Sequence, residues 1–316
     1  IMMESNIESD KRDINVKNDF SKIGFSYLAM GLISIIIQII VIAIVSKITP
    51  TMLTNLNFNT ILSAICQYIL PIPLFYFMIK KVKKTKIEKH KITIKKFIIF
   101  ICISITLMYI GNYIGLGITE IISLVKQSSV LNPAVNLIEN SNILINLFLI
   151  SIIAPIFEEF FFRKLLIDRT IQYGAKISIF ISAFMFGLFH GNLNQFFYAF
   201  LLGGFFAIVY IKTGNIIYPI ILHIITNFSG SVVPTTMRNV ISTFGNTPEG
   251  IIINLIYTVI LAILFIIGLI FIYKWKDKII ELKDNIENPL KTSLINIGMI
   301  CFIIFCVIEI IYVIIK

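Results

Sequence analysis

Ala154-Pro155-Ile156-Phe157-Glu158-Glu159-Phe160-Phe161-Phe162-Arg163 is the stretch that decides how the rest of the chain is read. Two adjacent carboxylates and an arginine stand inside an otherwise apolar run from Leu144 to Leu166. An ionised side chain at the centre of a bilayer costs about 2.5–3.5 kcal/mol on insertion scales. Three such groups on one helix mark a site, and their partners have to come from other spans.

Working outward, the chain reads as membrane protein throughout. Of its 316 residues 57% are hydrophobic and 14% charged, and apolar runs long enough to cross a hydrocarbon core of about 30 Å recur along it. The predicted fold is all-α, a polytopic transmembrane helix bundle of eight or nine spans. These are residues 23–46, 61–79, 97–118, 143 to about 172, 176–190, 196–211, 216–233, 251–273 and 294–315. The expected organisation is a polar, flexible cytosolic head (1–22), spans 1–3 with their loops (23–142), a core of spans 4–7 (143–235) and spans 8–9 (236–316). Cys66, Cys102, Cys301 and Cys306 all lie in apolar spans at neither zinc nor disulfide spacing, and are read as helix packing. Richness in Ile, Asn and Lys fits an AT-rich bacterial genome.

A net charge of +10 would suit a nucleic-acid binder, but its placement argues for topology instead. With the N-terminus in the cytosol, the cytosolic segments hold four basic residues in the head, nine in 80–96, four in 163–176, Lys212 and five in 274–294. The outer segments hold Lys47, Lys126, Arg238 and Lys316. This is the positive-inside pattern of a multi-pass cell-membrane protein. Lipid is the expected surroundings, and no nucleic-acid partner is expected.

Three further polar groups, from three separate spans with the carboxylates, fall in one slab of the membrane. Glu159 precedes the turn residue Gly174 by 15 positions and His190 follows it by 16; His223 and Asn227 follow the Gly214 turn by 9 and 13. At about 1.5 Å per residue these are depths of roughly 22–24 Å for Glu158, Glu159 and His190, and roughly 13 and 20 Å for His223 and Asn227. Glu159 and Arg163 share a helix face at i,i+4, as do His223 and Asn227. Glu158 is rotated by about 100° from Glu159 and has only Ala154 and Phe162 at i−4 and i+4. It is therefore the carboxylate left to face the histidines. Two carboxylates and two histidines around a cavity can hold and activate water, with or without zinc. Asn227 and one histidine can stabilise an oxyanion. Phe186 reads as packing.

Glu-Glu-x-x-x-Arg at 158–163, Phe-x-x-x-His at 186–190 and His-x-x-x-Asn at 223–227 resemble the three motifs of the CPBP intramembrane proteases. These are relatives of the type II, Rce1-like CAAX prenyl endopeptidase, whose bacterial members are called Abi proteins. The resemblance covers about residues 140–235. It implies Glu158 as the glutamate that activates water, His190 as a holder of that water, His223 and Asn227 as transition-state stabilisers, and Glu159 and Arg163 as support. Such proteases are described both as glutamate and as metalloproteases, so zinc on His190, His223 and Glu158 stays open; no His-Glu-x-x-His is present.

The expected function is thus an intramembrane endopeptidase acting on peptides or membrane-protein tails, with bacteriocin processing or immunity as one setting. Two rivals are a non-enzymatic scaffold or immunity protein that keeps the motifs, and a transporter using the same groups as a proton relay.

Overall fold

In the computed structural model, residues 14–245, 247–276 and 282–316 are described. Eight helices among them are long and apolar enough to cross a membrane: α1 (Ile14–Ile48), α2 (Leu56–Ile79), α3 (Ile94–Lys126), α4 (Ile143–Tyr173), α6 (Leu193–Thr213), α7 (Ile217–Phe244), α8 (Pro248–Lys276) and α9 (Ile297–Ile315). The shorter apolar helix α5 (Ala175–Phe189) completes the set. The chain is an all-α, multi-pass membrane bundle, as its composition required.

Helix starts are capped by the expected side chains. Thr93 Oγ1 accepts from Lys96 N at 3.3 Å, Asn192 Oδ1 from Gln195 N at 2.9 Å and Asn296 Oδ1 from Met299 N at 3.0 Å, each satisfying one donor that the first helical turn leaves free. The turn between α4 and α5 depends on Gly174, whose φ of +135° is open to glycine and strained for other residues. Gly203 answers to packing: a Cβ there would lie 3.0 Å from Phe186 Cδ1 and 3.2 Å from Ala183 Cα, so α6 rests directly on α5.

Part of the expected head departs from expectation. Residues 1–13 lie outside the described residues, but from Ile14 onward the chain is already helix α1. Val16, Phe20, Ile23, Tyr27 and Met30 are buried in one cluster with residues of α4, α5 and α9. Their three- and four-residue spacing makes an apolar stripe that the charges between them hide from a composition reading.

The chain's ends and loops sort into two faces. At one, Thr85 N donates to Asp168 O, His90 N to Thr213 O (2.7 Å) and Asn285 N to Tyr173 O (2.8 Å), while Tyr173 OH donates to Asp19 (2.6 Å). Every basic segment counted as cytosolic is represented there. At the other, Asn142 N donates to Asn57 Oδ1 (3.1 Å), Lys126 Nζ to Ile314 O (2.7 Å) and Arg238 Nη1 to Glu139 Oε1 (2.6 Å).

Candidate active site

Two prolines shape the backbone around the carboxylates. Pro155 has no N–H to donate to the carbonyl of Ser151, and the preceding stretch Asn146–Ile153 widens into π-helix. A second π stretch, Phe160–Leu165, follows the two glutamates directly. On α2 the same pairing recurs, with π-helix over Ile65–Ile69 ahead of Pro71. Such bulges turn the side chains that follow onto a new face and are frequent at functional sites. Here they bring Tyr68 of α2 against Glu158 of α4.

The centre of the site is a chain of charges and hydrogen bonds. Arg163 Nε stands 3.0 Å from Glu159 Oε2, both side chains wholly buried. Among the described residues none of the three guanidinium nitrogens has a hydrogen-bond partner of good angle; the short separation and complete burial make the contact an ion pair all the same. The guanidinium lies over the rings of Phe186 (4.6 Å) and Phe206 (5.8 Å), which supply cation–π attraction where acceptors are missing. Glu159 Oε1 accepts from His223 Nδ1 at 2.8 Å. On the far side of that ring, His223 Nε2 lies 3.5 Å from Glu158 Oε2. Glu158 Oε1 accepts from Tyr68 OH at 2.6 Å. Phe186 and Phe206 also flank the His223 ring, at 5.7 and 5.2 Å, and hold it in place.

The remaining groups stand around a cavity of about 580 Å³, whose walls include Tyr68, Glu158, His190, Tyr198, His223 and Asn227. His190 Nδ1 donates to Phe186 O at 2.8 Å. In the neutral ring this fixes the tautomer with its lone pair on Nε2. Asn227 Nδ2 donates to Ile150 O at 3.0 Å, tying α7 to α4 beside the carboxylates. Gln195 Nε2 donates to Tyr198 OH at 2.6 Å, adding a polar pair to the same wall.

The structure therefore brings all six sequence-predicted residues together: Glu158, Glu159, Arg163, His190, His223 and Asn227. It differs in two details. His223 bridges the two glutamates instead of only facing Glu158, and Phe186, expected as packing, also anchors His190 through its carbonyl and carries Arg163 on its ring. Tyr68 escaped the sequence reading. It lies on a span with no motif and 90 residues from Glu158; Pro71 and Pro73, which distort that span, were the one available hint. Among the described residues no three His, Cys, Asp or Glu side chains form a group able to hold a metal ion. His190, His223 and Glu158 line one cavity, but as arranged they do not converge as a zinc ligand set.

Fold and cavity together define the class: a multi-pass membrane protein with an acid–histidine site buried between its helices. Residues 140–229 match the family model described as Type II CAAX prenyl endopeptidase Rce1-like. This stretch, under a third of the chain, is similar to that family and holds all six residues. No curated protein and no solved structure matches the chain.

Proposed function

We propose that the chain is an intramembrane endopeptidase whose general base is Glu158. The observation that carries this is the division of labour between the two glutamates. Glu159 is fully buried and already engaged by Arg163 and His223, whereas Glu158 keeps 13% of its side chain exposed and lines the cavity.

A water held between Glu158 and His190 loses a proton to Glu158 as its oxygen attacks the carbonyl carbon of the scissile peptide bond. The C=O electron pair moves onto oxygen, and the oxyanion forms against His223 and Asn227. The contact of Nδ1 with Glu159 Oε1 fixes the His223 ring, so that Nε2 is turned to Glu158 and the cavity, where a proton on that nitrogen stabilises the developing charge. Collapse of the intermediate breaks the C–N bond, and Glu158 returns its proton to the leaving amine. Tyr68 holds Oε1 of Glu158, which leaves Oε2 turned to His223. We assign Tyr68 a positioning role.

Zinc on His190, His223 and Glu158 would require those side chains to regroup, and the steps above use the chain's own residues only. The substrate class is a peptide or membrane-protein tail, with bacteriocin-type peptides among the candidates. The test is cleavage of quenched-fluorescent peptides by the detergent-purified chain and by Glu158→Gln. Cleavage that persists in the variant refutes Glu158 as the base.

A further inference from the structure

We infer that substrate reaches Glu158 from the face opposite the lysine-rich loops, so that the chains cleaved are exported ones and not the C-termini of cytosolic proteins. This rests on the endopeptidase reading and adds to it the side of the membrane from which the site is served.

The cavity has a floor and a mouth. Toward the α4–α5 turn its lining stops at Phe162 on α4, Phe186 on α5 and His223 on α7. Below them, Phe161 through Thr170 is buried at every position except Lys164. That segment is also tied into its neighbours. Tyr27 OH donates to Phe161 O (2.7 Å), Ser182 Oγ to Phe162 O (2.8 Å) and Arg169 Nε to Ile79 O (2.8 Å). Tyr210 OH donates to Asp168 Oδ1 (2.6 Å), while Lys164 Nζ pairs with Asp168 Oδ2 (2.7 Å). No described residue of 80–93, 163–176, 212–215 or 282–291 lines the cavity.

In the other direction the cavity continues upward. Its lining runs on to the short helix Pro133–Asn140, between α3 and α4, and to the second half of α7 at Pro234, Thr235 and Arg238. The Arg238–Glu139 pair stands there with side chains 61% and 38% exposed. Exposure of the site's own side chains follows the same gradient: nothing at Arg163 and Glu159, 13% at Glu158.

Charge then assigns the faces. The nine lysines of 80–96 and the basic residues around Gly174 belong to the floor side, which the positive-inside rule puts in the cytosol. The mouth is therefore extracytoplasmic. A peptide segment arriving there meets a wall rich in apolar rings and can lie along it with its scissile carbonyl at the level of Glu158. A cytosolic chain meets the closed end.

The experiment reconstitutes the full chain carrying Lys84→Cys into sealed vesicles. Orientation is measured with a membrane-impermeant maleimide that reacts at position 84, and a membrane-impermeant quenched-fluorescent peptide is added outside. Cleavage is expected only from molecules whose position 84 is lumenal; those with position 84 outward should begin to cleave when detergent opens the vesicles. Cleavage that tracks the population labelled at position 84 from outside overturns the inference. Absence of cleavage even in detergent counts against the endopeptidase reading, and the entry side is then decided by a second arm. Thr235→Cys in the cavity wall should be labelled by the impermeant maleimide from the side opposite position 84. Labelling from the same side as position 84 overturns the inference independently of any activity.

Discussion

Glu158→Gln and Glu159→Gln change neighbouring residues by the same few atoms and should fail in different ways. Glu159 and Arg163 are wholly buried, and among the described residues no guanidinium nitrogen has another acceptor to turn to. Glu159→Gln thus leaves a buried cation without its counter-ion. Removing one partner of such a pair costs about 3–5 kcal/mol, at about tenfold per 1.4 kcal/mol, so the folded-to-unfolded ratio should fall by a factor of about a hundred to a few thousand. Glu158→Gln keeps an oxygen that accepts from Tyr68, and the group it replaces is partly exposed, so the fold should stand. What it loses is the ability to take a proton, worth about 10²–10⁴ in rate. The assay pairs thermal unfolding in detergent with peptide cleavage. Glu158→Gln should unfold at the wild-type temperature with cleavage nearly gone; Glu159→Gln should give poor yield and a clearly lower midpoint. Adding Arg163→Met to Glu159→Gln removes the stranded cation and should recover part of that stability. If Glu158→Gln cleaves normally while Glu159→Gln is stable but inactive, the base has been assigned to the wrong glutamate.

Tyr68→Phe removes a hydrogen bond to a charged group, worth about 1.5–3 kcal/mol; it should lower kcat about 10–100-fold with KM and melting temperature little changed, and have no further effect in the Glu158→Gln background. An equal fall in stability would show Tyr68 to be structural. Gly174→Ala places a Cβ 2.4 Å from Asp284 Cα at φ +135°, a strain of about 1–3 kcal/mol, and should reduce folded yield; unchanged yield would mean that the α4–α5 turn tolerates a side chain. Because no three ligands are grouped among the described residues, cleavage should survive a strong zinc chelator, with metal analysis of the purified protein as the check. Loss of activity restored by zinc alone would replace the glutamate mechanism with a metal one.

Much of this protein was legible before any coordinates. Span number and order follow from runs of apolar residues, because a bilayer requires about 20 of them per helix. The six polar residues of the site stood out for the same reason: each is costly in hydrocarbon, so each needs an explanation there. Helical periodicity also separated the two glutamates, since i,i+4 hands Glu159 to Arg163 and leaves Glu158 unpaired along its own helix.

Through-space partnership belonged to the tertiary structure. Tyr68 reaches Glu158 from a span with no motif because a π stretch ahead of Pro71 redirects it, and no period in the sequence encodes that meeting. His223 was expected at the site, but its link to Glu159 as well as Glu158 depends on how α7 is rotated against α4. Which end of the cavity is closed was likewise settled by packing, through the burial of Phe161–Thr170 among α1, α5 and α6. Local pattern sets what each helix must bury or leave bare; only the packed bundle sets which bare groups meet, because contacts between distant spans depend on rotation and depth that no single span specifies.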